Sequence, residues 1–159
     1  SVGLIPENEL SLDAGVSLDS RTKGAFVDEF FQTEAAGIFA AGNVLHVHDL
    51  VDFVSMEAEK LADSAARFVR VGYLPEATIE IVTDSNVGHT VPQRISGTED
   101  VHLSLRVNKV LEKATIAVYQ DDRLISRKKM NKALPAEMIH MEIPCAKLSG
   151  NAGLRVCVE

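Results

Sequence analysis

His46, His48 and Asp49 lie close together in the chain, and their side chains are of types that can bind a metal ion. Imidazole and carboxylate groups are common zinc ligands, and two histidines two residues apart on a strand point to the same side. A zinc site needs further protein ligands at workable spacing. The remaining histidines all lie in the second half of the chain, at His89, His102 and His140. We therefore expect no metal at the histidine pair.

The segment before these histidines, "TEAAGIFAAGN" at positions 33–43, is rich in small residues. Residues 38–41 predict a short buried strand, and Gly42 and Asn43 end it ahead of a helix that starts near Asp49. A strand, a small-residue turn and a helix N-terminus can hold an anionic or polar ligand against backbone N–H groups. The same residues are also typical of a tightly packed crossing without a ligand, and spacing alone does not decide between these two readings.

One long helix is predicted over residues 49–71. Its apolar residues recur at spacings of three and four and predict a buried stripe: Leu50, Val54, Ala58, Leu61, Ala65 and Phe68. Asp49 and Asp52 fall in the first turn, and Arg67 and Arg70 fall in the last turn, where each charge interacts favourably with the helix dipole. Gly72 and Pro75 end the helix.

Short alternating runs of strand length follow to the end of the chain. In residues 101–107 the apolar side chains take the odd positions and the polar ones the even positions, which is the period of a half-buried strand. Asp121 and Asp122 predict a hairpin turn. Six or seven such strands predict an antiparallel, immunoglobulin-like β-sandwich over residues 76–159. The fold class is therefore α+β, with a domain boundary between positions 72 and 76.

The segment "TEAAGIFAAGN" resembles the second flavin-binding motif of FAD-dependent pyridine nucleotide-disulfide oxidoreductases. "GLIPENEL" upstream looks like the segment where that family's chain re-enters its FAD domain, and "GAFVDEFFQT" is similar to the strands that follow. "HDLVDFVSMEAEKLADSAARFV" looks like the last helix of the FAD domain. The resemblance implies that residues 1–74 are the C-terminal segment of an FAD-binding α/β domain, followed by the β domain.

The resemblance also implies roles for single residues. Gly42 lets the backbone approach FAD, and Asn43 stands where the family usually has an aspartate that contacts the ribityl or diphosphate part. Asn43 keeps hydrogen-bonding capacity but lacks the negative charge. The backbone N–H groups of Asp49, Leu50 and Val51 would face the pyrimidine edge of the flavin, where helix polarity favours negative charge.

No G-x-G-x-x-G occurs in the sequence, so the diphosphate cradle and the NAD(P) domain would lie elsewhere in a longer flavoprotein. Cys145 and Cys157 form no redox dithiol, so disulfide reduction is not supported. The resemblance implies a parent enzyme that is an FAD-dependent NAD(P) oxidoreductase with unknown catalytic residues. We expect the 159-residue chain alone to be inactive.

The net charge of −7 disfavours nucleic acid as a partner, and no apolar run reaches the ~20 residues that span a bilayer. No signal-peptide pattern is present at the start, so a cytoplasmic location is expected. The alternative to a flavoenzyme fragment is a non-catalytic interaction or dimerisation module. In that module the β domain would mediate dimerisation or bind an electron-transfer partner. As a flavoenzyme fragment, the chain would also contact the remainder of its own flavoprotein chain.

Overall fold

The computed structural model describes residues 4–159, and the alternating segments of the second half form two β-sheets. Five strands in the order β3-β1-β8-β5-β6 form the larger sheet, and three in the order β2-β4-β7 form the smaller one. The strands are β1 (Ile79–Thr83), β2 (Val87–Val91), β3 (Arg94–Ile95), β4 (Val101–Val107), β5 (Leu111–Gln120), β6 (Arg123–Ala133), β7 (Ile139–Ile143) and β8 (Leu154–Val158).

The hydrophobic core lies among these strands, and both sheets contribute to it. β4 buries its odd-numbered side chains, such as Leu103 and Leu105, while His102 is exposed. β5 adds Ile116 and Val118 from the other sheet to the same buried cluster. Strand alternation therefore places one apolar face of each sheet against a shared core.

The pairing of β1 with β8 corrects the prediction of a purely antiparallel sandwich. Ile81 pairs with Leu154 and Thr83 with Val156 in parallel register, whereas the other strand pairs are antiparallel. β5 and β6 form the expected hairpin, with Asp121 and Asp122 between them. Alternation in a sequence indicates which side chains share a face, but it carries no information on the direction of a distant neighbouring strand.

The first half of the chain has little regular structure before its long helix. A short helix α1 (Glu9–Asp13) was not predicted. The strand expected at 38–41 is absent from the described structure: Phe39 makes one isolated bridge with Gln32, Ile38 is 37% exposed, and a 3-10 helix follows at Gly42–Val44. "GAFVDEFFQT" likewise forms only isolated bridges. "GLIPENEL" begins at Gly3, which lies outside the described residues.

Helix α2 (Val51–Val71) begins two residues later than predicted. Asp49 therefore lies before the helix, and Asp52 is the acidic residue of its first turn. The C-terminus ends as expected, because Gly72 adopts a left-handed backbone with φ of 87° and donates its N–H to the Phe68 carbonyl at 2.7 Å. Glycine tolerates this conformation better than residues with a Cβ.

The prediction that α2 buries one face is corrected by its side-chain exposure. Ser64 is the only buried residue of the helix, Ala58 is exposed, and Leu50 just before it is 56% exposed. Val54, Leu61, Ala65 and Phe68 are half-buried. The apolar stripe exists, but within the described chain it is only partly covered.

Backbone contacts divide the chain into two compact units, which we call unit 1 (Ser1–Leu74, described from Leu4) and unit 2 (Pro75–Glu159). Unit 1 holds both α-helices, and unit 2 holds all eight strands. The predicted α+β class is confirmed in this form, with β-structure predominating. No helix among the described residues is both long and apolar enough to cross a membrane.

Candidate functional site

Gly42 lies at the turn that precedes α2, and its surroundings explain why a glycine occupies this position. Its φ is 73°, in the left-handed region that residues with a Cβ rarely adopt. A Cβ at this position would lie 3.0 Å from Val54 Cγ1 on α2. The turn therefore brings the backbone of the loop directly against the helix.

Hydrogen bonds fold the loop after Gly42 into a compact form. The Leu45 N–H donates to the Gly42 carbonyl at 2.9 Å, and the His48 N–H donates to Asn43 Oδ1 at 3.0 Å. Asn43 itself is exposed. The amide of Asn43 thus organises the loop through its oxygen.

The loop is held from the other side by residues near the start of the chain. Asn8 is buried and donates from Nδ2 to the carbonyls of Val44 at 2.8 Å and Lys23 at 3.0 Å. Gly24 passes so close to Leu45 that a Cβ at position 24 would lie 2.0 Å from the Leu45 carbonyl oxygen. Asn8, Gly24 and helix α2 therefore all contact this loop and position it.

The carboxylate of Glu57, in the second turn of α2, contacts Gly42, His46 and His48. Oε2 accepts the Gly42 N–H at 2.8 Å, and Oε1 lies 3.0 Å from His46 Nε2. His48 Nε2 lies 3.0 Å from Glu57 Oε2. The side chains of His46 and His48 are almost completely buried, and that of Glu57 is 11% exposed.

Two opposing effects act on the ionisation of Glu57. Burial of the carboxyl group raises its pKa, but the hydrogen bond from His46, the contact with His48, the charge of His46 and the Gly42 N–H together lower it to about 2. The lowering contacts prevail because each of them favours the charged form. Glu57 is therefore a carboxylate at neutral pH, held within a nearly closed environment.

The residues expected to contact the flavin ring lie at the N-terminus of α2. Asp49, Leu50 and Val51 are all exposed, Val51 to 74%. Leu50 is the N-cap residue and makes no side-chain capping bond. A helix N-terminus presents backbone N–H groups that the helix itself does not satisfy. This end of α2 can therefore offer donors to a ligand.

The structure brings Gly42 and Asn43 together in one turn, with Asp49, Leu50 and Val51 at the other end of the same loop. Sequence reasoning missed Glu57. The available signal was its position on α2, three residues after Val54 and four before Leu61, because a charged residue within an apolar stripe needs a polar partner.

The other histidines form a separate arrangement in unit 2. His102 and His140 stack with ring centroids 5.2 Å apart, and Ser104 Oγ lies 3.1 Å from His140 Nδ1. Among residues 4–159, the group of His46, His48 and Glu57 is the only one that brings together three or more potential metal ligands.

Comparisons with protein-family models, with curated proteins and with solved structures found no match to this chain.

Proposed function

We propose that unit 1 is the closing segment of an FAD-binding domain in an FAD-dependent NAD(P) oxidoreductase. The observation that carries the proposal is the turn at Gly42, with its left-handed backbone, leading through a folded loop to the uncapped, exposed N-terminus of α2. The resemblance of "TEAAGIFAAGN" to the family's flavin-binding motif falls on this same turn. Bound FAD would supply the redox chemistry, and NAD(P) would be the co-substrate of the parent enzyme.

Two features of the loop and of α2 support the proposal. Gly42 has a left-handed backbone and no side chain, so the loop packs closely against Val54 of α2 in the turn that leads to the helix N-terminus. The N–H groups of Asp49, Leu50 and Val51 lie at the positive end of the helix dipole and would stabilise negative charge at the pyrimidine edge of the flavin. Asn43 keeps the loop folded through its bond with the His48 N–H.

Unit 1 also has the surface expected of an incomplete domain. Many of its large apolar side chains are exposed: Leu4, Ile5, Leu10, Leu12, Ile38, Leu50, Val51, Met56, Val69, Val71 and Tyr73. Apolar surface of this extent favours contact with further protein. The remainder of the flavoprotein chain is the partner we propose, and unit 1 without it would neither hold FAD tightly nor catalyse a reaction.

The test is flavin retention by the full-length protein. Gly42→Val places a branched side chain against Val54 and should abolish FAD binding. Gly15→Val is the matched control, because Gly15 also has a positive φ of 75° but no neighbour within 4 Å of an added Cβ. Bound flavin is measured by absorbance per protein. A Gly42→Val protein that retained FAD at wild-type stoichiometry would contradict the assignment.

A second variant tests the helix N-terminus without crowding the loop. Val51→Pro removes one backbone N–H at the first helical position, where proline is well tolerated, and Leu50 already has the extended backbone that precedes proline. We expect folded, flavin-bound protein with a more negative reduction potential. Val51→Ala, which retains the N–H, should leave the potential unchanged, and an unaltered potential in Val51→Pro would exclude this role.

A docking role for unit 2 is the second candidate, and the β5–β6 hairpin favours it. β6 is the edge strand of the larger sheet and exposes Arg127, Lys128, Lys129 and Lys132. An open depression of ≈ 370 Å³ on this hairpin is lined in part by Lys113 and Lys129. Clustered positive charge repels a second copy of the same surface and favours an acidic partner, such as an electron-transfer protein.

This role predicts binding to a polyanion despite the net charge of −7. The chain should be retained on immobilised heparin at low salt, and Arg127→Glu with Lys129→Glu should abolish retention. Lys109→Glu, outside the hairpin strands, is the control. A wild-type chain that is not retained on heparin would argue against a functional positive surface. Dimerisation of the chain through β6 would instead support a homodimer formed by unit 2.

A further inference from the structure

His48 has a buried imidazole whose Nε2 lies 3.0 Å from Glu57 Oε2, while its Nδ1 makes no hydrogen bond within residues 4–159. Its side chain is 2% exposed. Buried polar atoms in proteins are nearly always paired, and leaving one unpaired is costly. Nε2 of His46 likewise lies 3.0 Å from the carboxylate of Glu57. Two buried imidazoles thus converge on one carboxylate, which places three potential metal ligands together.

A metal ion accounts for the arrangement. His46 Nε2 lies 3.0 Å from Glu57 Oε1, and the ligand atoms of His46, His48 and Glu57 all lie within 4.8 Å of one another. Ligands held about 2.1 Å from a tetrahedral zinc ion are separated from each other by about 3.4 Å, so small adjustments suffice to admit an ion. We propose that His46, His48 and Glu57 bind one Zn²⁺ ion.

The chemistry of the ligands restricts the class of ion. Two imidazoles and one carboxylate suit zinc or another first-row transition metal, whereas magnesium and calcium prefer oxygen ligands alone. Three protein ligands leave the fourth tetrahedral position for water. The Gly42 N–H at 2.8 Å from Glu57 Oε2 orients the carboxylate from outside, as the neighbours of metal ligands commonly do.

The expectation of no metal at the histidine pair was based on the lack of a third and a fourth ligand at workable spacing. Glu57 supplies the third ligand from α2, eleven residues after His46 in the chain. The site goes beyond the proposed flavin-binding role and does not depend on it.

The experiment is a titration of the 159-residue chain with Zn²⁺ alone, followed by calorimetry, and with Co²⁺, followed by absorption. We expect one equivalent with a Kd below about 10 µM, weaker than in structural zinc sites because His48 Nδ1 lacks an orienting partner. Co²⁺ should give a tetrahedral spectrum without a thiolate charge-transfer band, which excludes Cys145 and Cys157 as ligands. His48→Gln and Glu57→Gln should each weaken binding more than about 10-fold, since losing a ligand costs at least as much as losing the neighbour of a ligand.

Matched controls separate this site from others in the chain. Glu59→Gln alters an exposed carboxylate on the same helix, and His140→Gln alters the histidine pair of unit 2, so both should bind as the wild type does. Circular dichroism verifies the fold of each variant. X-ray absorption of the Zn²⁺-loaded wild type tests the ligands without any substitution and should show two imidazoles with oxygen ligands.

Absence of saturable binding at about 100 µM Zn²⁺, ten times the expected Kd, would overturn the proposal. Unchanged binding in both His48→Gln and Glu57→Gln, or a sulfur ligand in the absorption spectrum, would also overturn it. Failure of flavin binding by the full-length protein would leave these results unaffected, because the titration contains no flavin.

Discussion

Glu57 Oε2 accepts the backbone N–H of Gly42 at 2.8 Å. This hydrogen bond joins two residues that are fifteen positions apart, one in the turn before α2 and one in the second turn of α2. The same carboxylate contacts two buried imidazoles. One side chain of the helix therefore positions the backbone turn and the histidines together. Loss of this side chain should disturb the loop as well as the helix.

Glu57→Ala should destabilise unit 1 by about 1–3 kcal/mol, because the Gly42 N–H and His46 lose a charged acceptor in a buried setting. Glu59→Ala, at an exposed position on the same helix, should change the stability by less than about 0.5 kcal/mol. Urea unfolding followed by the helical circular dichroism signal, in a chelator, measures both. Equal stabilities for the two variants would mean that the carboxylate contributes nothing to the loop.

Gly24→Ala should be among the most destabilising small substitutions in unit 1. The added Cβ would lie 2.0 Å from the Leu45 carbonyl oxygen, so the loop before α2 must shift. Forced overpacking typically costs about 1–3 kcal/mol or more. The control is Gly153→Ala, whose Cβ would make an ordinary 3.4 Å contact with the Glu80 carbonyl. A Gly24→Ala chain as stable as the control in thermal unfolding would show that these two backbones do not approach so closely.

Asp100 should suppress the reactivity of Cys145. The pKa of the Cys145 thiol is raised by its hydrogen bond to Asp100, by desolvation and by the negative charge of Asp100. Asp100 Oδ1 also accepts the backbone N–H of Cys145 at 2.8 Å. A raised pKa reduces the thiolate fraction at a given pH, so alkylation of Cys145 should begin at higher pH than for a free cysteine. Asp100→Asn should move the alkylation profile, followed by mass spectrometry, to lower pH. An unchanged alkylation profile in Asp100→Asn would show that Asp100 does not raise the pKa of Cys145.

Hydrogen exchange should be slower in unit 2 than in α2. The buried core cluster consists entirely of residues from unit 2, whereas α2 buries only Ser64. Exchange of backbone amides follows local or global opening, and opening is rarest where apolar side chains are most deeply buried. Amides of β4, β5 and β8 should therefore persist longest. Faster exchange in these strands than in residues 51–71 would reverse the stability order.

The two units should also differ when each is expressed alone. Residues 76–159 contain their own two-sheet core and should melt cooperatively. Residues 1–74 expose apolar side chains such as Leu10, Val51 and Val69, and they should be poorly folded or should associate. Calorimetry and sedimentation measure the two behaviours. A monomeric, cooperatively folded unit 1 would argue against an incomplete domain.

Local patterns in the sequence were sufficient to predict many of the elements. The alternation at 101–107 coincides with β4, and the α2 C-terminus at Gly72 follows from glycine and the nearby proline. Strand alternation and helix capping depend on a few neighbouring residues, so they are visible without a fold. The strand predicted at 38–41 failed because a run of small and apolar residues does not supply a neighbouring strand to pair with.

The sequence alone determined the α+β composition, the alternation of β4 and the end of α2 at Gly72. Only the tertiary structure brought Glu57 to His46 and His48, set Gly24 against Leu45 and aligned β1 parallel to β8. The first group depends on periodicity and backbone preference within a few residues, whereas the second depends on contacts between segments that spacing does not encode. The imidazoles of His46 and His48 gained their shared carboxylate because the turn at Gly42 folds the loop back onto α2.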